Sequence, residues 1–174
     1  MEIRTERLML RPAALGDLAT THAYAGDLEN TRFMMYLPYA SLEETAAMLR
    51  EAEAEWKREQ PERYEFSILL EEKHIGGITL YMQQDRSEAE LGWVLHKDYW
   101  RRGYVTEAAR GVMAFAREQL GVKRIFACCD SENVASYKAM EKLGLRLVKD
   151  DGVRTNRSMG DEVRRELTYE IRME

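Results

Sequence analysis

The sequence predicts a mixed α/β fold with a mostly antiparallel sheet of about seven strands and about four helices. The first observation is that short apolar alternations, typical of strands, are interleaved with longer segments in which apolar residues recur at helical spacing. The second is that no Pro- or Gly-rich linker, internal repeat or low-complexity tract divides the chain. With 174 residues, 45% of them hydrophobic, the chain is long enough to bury one core. We therefore expect a single domain, residues 1–174.

The first half of the chain contains four predicted elements and one notable loop. Ser41-Leu-Glu-Glu44 forms a capping box, which marks the start of a long helix. The loop before it, residues 33–39, is rich in aromatic residues and Met. The predicted elements are, in order, a strand (3–11), a helix (15–26), the long helix (to about Glu59) and a hairpin (64–70 and 75–82).

The second half alternates strands with helices. A strand over residues 89–95 carries Glu90, and a helix after Gly103 has its apolar face at i, i+3 and i+4 spacing as far as Leu120. A strand over 123–129 precedes a helix over 134–143, which Gly144 ends in the position preferred for a left-handed residue. Strands over 145–149 and 164–172 close the chain.

The segment between the Glu90 strand and the next helix has the features of an anion site. Gly103 allows close approach of a ligand to the backbone, and the first turn of a helix has N–H groups without intrahelical partners. Arg101 and Arg102 add positive charge beside those donors, which suits a pyrophosphate. Arg-Arg-Gly alone is more often a capped helix with a solvated Arg pair. The segment downstream of it, described next, favours the anion site over the capped helix.

The downstream segment begins with Asn133, which has an ordinary interpretation as a helix cap. Here it is followed by Ser136 and then by Met140-Glu-Lys-Leu-Gly-Leu145. Residues 100–108 (Trp-Arg-Arg-Gly-Tyr-Val-Thr-Glu-Ala) and 133–144 together resemble the two acetyl-CoA motifs of the GNAT N-acetyltransferases. Residues 3–12 are similar to the first strand of the RimJ/RimL-like (ribosomal-protein N-terminal acetyltransferase-like) branch. The resemblance covers essentially the whole chain.

The resemblance implies a sheet whose fourth and fifth strands splay apart and admit the pantetheine arm of acetyl-CoA, the expected co-substrate. The arm carries amides, so it can pair with strand backbone as an added strand while its pyrophosphate lies on the helix N-terminus. Residues expected to bind acetyl-CoA are Val94, Leu95, His96, Arg101, Arg102, Gly103, Tyr104, Val105, Thr106, Asn133 and Ser136. Two positions depart from the commonest phosphate motif: Trp100 replaces Arg or Gln, and Val105 replaces Gly or Ala. Val105 weakens binding if it points at the pyrophosphate and is harmless if it points into the core.

Catalytic candidates follow from the same resemblance. Many GNAT enzymes have a Tyr acid seven residues after the motif Asn, but that position here is Met140, so Ser136 is expected to assist the leaving thiolate, as in the ribosomal-protein branch. Tyr137 is a reserve candidate, for which packing is the preferred interpretation. Glu90 is the expected base, and its alternative is an ordinary exposed residue or ion-pair partner. Glu88 and His96 share its predicted face and are further candidates for the base.

The composition of the chain argues against several other classes of protein. Cys128 and Cys129 are adjacent in a predicted strand, point to opposite faces and are expected to act as small hydrophobes. The three His residues lack metal-site spacing, so no metal is expected. A net charge of −5 argues against a nucleic-acid-binding surface, and the absence of a long apolar run predicts a cytoplasmic protein without a membrane segment. A monomer or homodimer is expected.

The acceptor amine is the least determined part of the function. By resemblance, it should lie opposite the cofactor, under residues 30–40 and 150–161, where Phe33, Met34, Met35, Tyr36 and Tyr39 either wall a pocket or pack in the core. The acceptor is expected to be a protein N-terminus or a small amine such as a polyamine, an aminoglycoside or an amino acid. The alternative from another class is a non-catalytic sensor or interaction module that binds acyl-CoA.

Overall fold

A computed structural model describes residues 1–173. These residues form one eight-stranded sheet, five α-helices and three short 3-10 helices. The strands are β1 (Ile3–Arg4), β2 (Leu8–Pro12), β3 (Arg63–Leu70), β4 (Lys73–Met82), β5 (Glu88–Leu95), β6 (Arg124–Asp130), β7 (Arg146–Thr155) and β8 (Val163–Arg172). The order across the sheet is β1-β2-β3-β4-β5-β6-β8-β7, and only the β5–β6 pair is parallel. The predicted mixed, mostly antiparallel sheet is confirmed.

The helices lie on both faces of the sheet. They are α1 (Leu18–Ala25), α2 (Leu28–Thr31), α3 (Leu42–Glu55), α4 (Tyr104–Leu120) and α5 (Val134–Lys142). On one face α4 packs against the main core through small residues, among them Ala108, Ala109 and Ala116, which are fully buried and let the helix approach the strands closely. On the other face α1 and α3 form smaller clusters with the sheet.

The first predicted strand, residues 3–11, is wrong in one respect. It is two strands, β1 and β2, which pair antiparallel with Ile3 opposite Leu10. Thr5 stabilises the turn between them, because its side-chain oxygen accepts the Leu8 N–H (3.1 Å) and its backbone N–H donates to the Leu8 carbonyl (2.9 Å). Apolar alternation continues through this turn, so periodicity alone could not reveal it.

Other boundaries differ by a few residues. The β3–β4 hairpin turns on Glu71 and Glu72 alone, both at positive φ (47° and 67°), a conformation for which sequence signals normally require Asn or Gly. β7 extends to Thr155, beyond the predicted residue 149, and α3 ends at Glu55 instead of Glu59. The one-turn helix α2 was not predicted.

The sheet opens between β5 and β6. Their parallel pairing covers three residues and ends at Glu90 opposite Phe126, although β5 continues to Leu95 and β6 to Asp130. These are the fourth and fifth strands of the sequence prediction, so the expected splay is confirmed. Within residues 1–173 no helix is both long and apolar enough to cross a membrane.

Candidate functional site

The splayed strands present unpaired backbone groups in the middle of the sheet. His96 donates its N–H to the Ile75 carbonyl (2.9 Å), so by antiparallel alternation Val94 also pairs with β4, and Leu95 directs its backbone to the opposite edge. The Leu95 carbonyl accepts hydrogen bonds from Asn30 Nδ2 (2.6 Å) and Trp100 Nε1 (2.8 Å). Of the three residues predicted to meet the cofactor here, Leu95 is therefore the one whose N–H faces the opening.

The N-terminus of α4 borders the same opening. Gly103 is its N-cap residue at φ 79°, ψ 4°, in the left-handed region, and it supplies no side-chain cap. The N–H groups of Tyr104, Val105 and Thr106 begin the helix and have no acceptor four residues earlier within it. Uncapped donors at a helix N-terminus suit an anion such as a pyrophosphate. This is an observation independent of the motif.

The conformation of Gly103 gives a second reason for a glycine at this position. Its positive φ strains any L side chain. Arg101 is also at positive φ (62°), and both Arg101 and Arg102 are exposed. Val105 packs half-buried against the main core, so it takes the orientation that leaves the loop open to a ligand.

The turn between β1 and β2 supports this helix terminus. The sequence did not predict that support. Glu107 in the first turn of α4 accepts hydrogen bonds from Thr5 Oγ1 (2.6 Å), the Arg7 N–H (2.7 Å) and Arg7 Nε (2.7 Å). Arg7 Nη1 donates to the Arg102 carbonyl (3.1 Å). The partners are about a hundred positions apart, so no local pattern links them. Arg7 thus connects the edge of the sheet to the loop that precedes α4.

A surface cleft of about 370 Å³ lies beside this terminus. It is lined by Gly103 and Thr106 and by three cationic side chains, Arg7, Arg110 and Lys142. Arg110 also donates to the Lys142 carbonyl (3.2 Å), which joins α4 to the end of α5. Two carboxylates, one of them paired with Arg7, line the cleft as well, so it combines uncapped backbone donors with a small excess of positive charge.

Asn133 and Ser136 lie at the start of α5, after the end of β6. Asn133 Oδ1 accepts the Ser136 N–H (3.3 Å), so the cap interpretation of Asn133 is correct for its side-chain oxygen. Ser136 is half-buried next to Cys129, whose thiol pKa burial raises to about 11, against opposing effects from Arg154 and the Ser136 hydroxyl. Tyr137 packs half-buried against the main core. The structure thus brings Ser136 to the β6 side of the opening.

Glu90 lies on the last residue pair that joins β5 to β6. Among the described residues it has no ion pair or hydrogen-bonded side-chain partner. Burial raises the pKa of its carboxyl above the ordinary value; the negative charge of Glu166 raises it further, and Arg154 acts in the opposite direction. A half-buried carboxyl without a counter-ion matches the requirements of a general base.

The two other candidates for the base are differently placed. Glu88 pairs with Arg124, whose guanidinium lowers the pKa of the Glu88 carboxyl despite partial burial. His96 uses Nδ1 to accept the Asp98 N–H (3.2 Å), which caps the 3-10 helix Lys97–Tyr99. Both side chains have structural partners, so Glu90 is the candidate that the geometry favours.

The two loops predicted to cover the acceptor are in contact. Arg154 Nη2 donates to the Phe33 carbonyl (3.0 Å), Ser158 Oγ to the Arg32 carbonyl (3.0 Å) and the Arg157 N–H to the Met34 carbonyl (3.1 Å). The predicted wall residues divide by role. Met34 and Tyr39 pack against the cluster around Tyr24, whereas Tyr36 and Met35 are exposed.

A buried polar network, not predicted from the sequence, supports these loops. Asp130 and Asn156 are fully buried, and Asn156 Nδ2 donates to Asp130 Oδ2 (2.7 Å). Arg164 Nε donates to the same oxygen (2.9 Å), and Arg154 Nε donates to Asn156 Oδ1 (3.0 Å). Arg154 also reaches Glu166 (3.2 Å). Since Asp130 ends β6, the network fixes the loop that leads to Asn133. The one feature of the sequence that could have indicated this network is the Asp at the end of a predicted strand.

Fold and site define the class, an acyltransferase of mixed α/β architecture with a splayed sheet. Residues 7–146 match the family model described as the acetyltransferase (GNAT) domain. The chain belongs to the GNAT family and is an N-acetyltransferase of that type, as the sequence predicted.

Relatives and solved structures agree. The chain is 30% identical over 148 residues to an uncharacterized N-acetyltransferase, YnaD, of Bacillus subtilis (strain 168), covering 84% of this chain and 83% of the relative. It is similar to the crystal structure of a GNAT acetyltransferase from Bacillus anthracis (TM-score 0.86, 26% identity, 99% and 98% covered). The ribosomal L7/L12 acetyltransferase RimL in complex with coenzyme A shares the fold (TM-score 0.87, 16% identity, 99% and 98% covered).

Proposed function

We propose that this protein transfers the acetyl group of acetyl-CoA directly to a primary amine, with Glu90 as the general base. The observation that carries the proposal is the half-buried carboxyl of Glu90, without a counter-ion among the described residues, at the point where β5 and β6 separate. The acceptor is a protein N-terminus or a small amine. The neighbouring RimL structure, which contains coenzyme A, supports the choice of co-substrate.

The binding part of the proposal depends on three groups of residues. The backbone donors of Tyr104, Val105 and Thr106 receive the pyrophosphate at the uncapped start of α4. The free backbone edge of β5 pairs with the amides of the pantetheine arm. Arg101, Arg102 and the cations of the adjacent cleft balance the phosphate charge. Asn133 fixes the first turn of α5 beside the arm.

The chemical part needs one base, one oxyanion donor and one acid. Glu90 removes the proton of the acceptor ammonium, directly or through water, and the free amine attacks the thioester carbonyl. The Leu95 N–H, which faces the opening, stabilises the oxyanion. The Ser136 hydroxyl donates to the departing thiolate, with Tyr137 as the reserve candidate. Attack is direct, so no acyl-enzyme forms.

The test is thiol release from acetyl-CoA with a panel of amines, including peptides with free Ala or Ser N-termini. We expect amine-dependent thiol release that is lost in Glu90→Gln, while isothermal titration shows unchanged acetyl-CoA binding. Tight acetyl-CoA binding without release by any amine would favour the non-catalytic sensor. Absence of acetyl-CoA binding by the folded protein would overturn both functions.

A further inference from the structure

The Leu95 carbonyl, at the end of β5, accepts two side-chain hydrogen bonds. Asn30 Nδ2 donates to it at 2.6 Å and Trp100 Nε1 at 2.8 Å. A carbonyl oxygen has two lone pairs, so these two donors fill it. The backbone group that Leu95 still offers to a ligand is therefore its N–H. That N–H points away from β4 and lies beyond the last β5–β6 pair, Glu90 with Phe126.

Asn30 also holds the chain two residues further on. Its Oδ1 accepts the Lys97 N–H at 3.0 Å, while its Nδ2 donates to the Leu95 carbonyl. Between these two contacts, the His96 N–H donates to the Ile75 carbonyl at 2.9 Å. The Asn30 amide thus pairs with both sides of His96 in the way that a neighbouring strand would. The backbone from Leu95 to Lys97 is therefore held from both edges.

The orientation of the Asn30 side chain is itself fixed. Asn30 is only 8% exposed and belongs to the one-turn helix α2. The N-cap residue of α2, Asp27, accepts the Asn30 N–H at 2.8 Å and pairs with Lys97 Nζ at 3.0 Å. A flipped amide would place its NH2 group against the Lys97 N–H and its oxygen against the Leu95 carbonyl, so one orientation satisfies both buried partners.

The contact of Trp100 gives a reason for its departure from the commonest phosphate motif. Trp100 stands where that motif has Arg or Gln, and its indole N–H reaches back five residues to Leu95. An indole has a donor and no acceptor, so it can bind the Leu95 carbonyl and cannot compete for the Leu95 N–H. Since Trp100 precedes Gly103 and α4, the same contact joins the pyrophosphate loop to the end of β5.

The two donors come from elements on different sides of the opening. One donor would satisfy the Leu95 carbonyl, but the structure supplies two. Asn30 lies in α2, at the start of the predicted acceptor loop (residues 30–40), and Trp100 lies in the loop before α4. Both elements thus converge on the residue whose N–H faces the proposed thioester site. This convergence is the observation that carries the inference.

We propose that Asn30 and Trp100 are positioning residues, which hold Leu95 so that its N–H points at the thioester oxygen of acetyl-CoA. The inference rests on the proposed function, in which this N–H stabilises the oxyanion. In a strand, the N–H and the carbonyl of one residue point to the same edge, so a fixed carbonyl fixes the N–H as well. An oxyanion donor is most effective when it is fixed before the reaction, because it then needs no reorganisation as the charge develops.

The first measurement separates kcat from KM for acetyl-CoA. Asn30→Leu removes both bonds of the side-chain amide, and the isosteric Asn30→Asp keeps an acceptor for the Lys97 N–H but places a carboxylate against the Leu95 carbonyl. Each should lower kcat about tenfold or more, with KM for acetyl-CoA little changed. Trp100→Phe removes one donor and keeps an aromatic ring, so it should lower kcat less. Combined with Asn30→Leu, it should lower kcat more than either change alone.

The second measurement is isothermal titration without an amine, with acetyl-CoA and with S-ethyl-CoA, in which a CH2 group replaces the thioester carbonyl. The parent should bind acetyl-CoA about fivefold more tightly, because the Leu95 N–H has an acceptor only in that ligand. In Asn30→Leu the ratio of the two affinities should fall toward one, with the Kd of S-ethyl-CoA unchanged. A purely structural role of Asn30 would leave the ratio as it is in the parent.

The matched control is Lys97→Met. It removes the ammonium that pairs with Asp27 and Glu29 and keeps the backbone N–H that Asn30 holds, so kcat and the affinity ratio should be parental. Parental kcat and a parental ratio in folded Asn30→Leu and Trp100→Phe would overturn the inference, even if both variants unfold at a lower temperature. A parent that binds both ligands equally would overturn it as well.

Failure of the proposed function is detected separately. If no amine releases thiol, the proposed reaction fails, and the inference is then judged by the affinity ratio alone. A preference for acetyl-CoA that requires Asn30 supports the inference, and a preference that is unchanged in Asn30→Leu overturns it.

Discussion

Glu90 combines a raised pKa with the absence of a counter-ion, and this has a direct consequence for the dependence of the rate on pH. A base works only when deprotonated, so kcat/KM should rise with pH through the raised pKa of Glu90. Glu90→Gln should lower kcat/KM by about a hundredfold or more and remove that limb of the pH profile. Steady-state rates between mildly acidic and alkaline pH are the measurement. A variant that keeps the parental profile would show that another group is the base.

The proposed role of Ser136 can be tested by measuring how its substitution changes kcat and KM separately. Its hydroxyl acts on the leaving thiolate in the proposal, so Ser136→Ala should lower kcat more than it raises KM for acetyl-CoA. Tyr137→Phe is the matched control, since it removes the hydroxyl of the neighbouring reserve candidate and keeps the ring that packs in the core. An unchanged kcat in Ser136→Ala, with a reduced one in Tyr137→Phe, would exchange the two roles.

At the residue scale, the sequence predicts residues within a motif better than residues joined by the fold. Glu90, Gly103, Asn133 and Ser136 occupy motif positions, and the structure places all four around one opening. The contact between Arg7 and Glu107 was not predicted, because the two residues are a hundred positions apart in the sequence.

The turn between β1 and β2 stabilises the N-terminus of α4. Arg7 holds both Glu107 and the Arg102 carbonyl, so Arg7→Ala should loosen the loop that receives the pyrophosphate and raise the Kd for acetyl-CoA about tenfold. Arg4→Ala is the control, since within residues 1–173 Arg4 pairs only with Glu2, at the exposed end of the sheet. Isothermal titration on both variants gives the comparison. Equal affinities would limit Arg7 to a structural role.

The loop before α4 depends on the left-handed conformation of Gly103. Gly103→Ala should lower stability by about 1 kcal/mol or more, because a Cβ disfavours this region, and Gly103→Asn should cost less, because Asn tolerates it. Thermal unfolding measures the difference. The nearest atom to an added Cβ is Arg7 Nη2 at 3.6 Å, so a steric clash does not contribute. Equal losses for Ala and Asn would contradict the conformational explanation.

Among the elements, long periodic segments were predicted well and local turns poorly. The α4 and α5 helices agree with their spacing and end signals, since Gly121 and Gly144 follow them at positive φ. The break at Thr5 was not predicted, and the predicted hairpin turn is shorter than expected, because pairing with neighbouring strands sets where each turn falls. The splay was predicted only through family resemblance, since local sequence does not encode where two strands separate.

For the molecule as a whole, the partly buried carboxylate of Glu65 in β3 reduces stability at neutral pH. Its pKa is raised, so the folded state holds the proton more tightly than the unfolded state does, and stability falls as pH rises through the ordinary carboxyl pKa toward the raised one. Glu65→Gln lacks this loss and should unfold at a higher temperature than the parent at pH 7. The gap should close below about pH 4. A gap that is constant with pH would show that Glu65 ionisation is not its cause.

The separation of β5 and β6 also affects how the protein survives without its co-substrate. Each unpaired strand edge is a template for a strand from another chain, and this sheet has two such edges near its centre in addition to its margins at β1 and β7. A ligand arm that pairs with these edges protects them in the same way as a covering strand. If acetyl-CoA binds here as proposed, we expect it also to lower the tendency of the folded protein to aggregate.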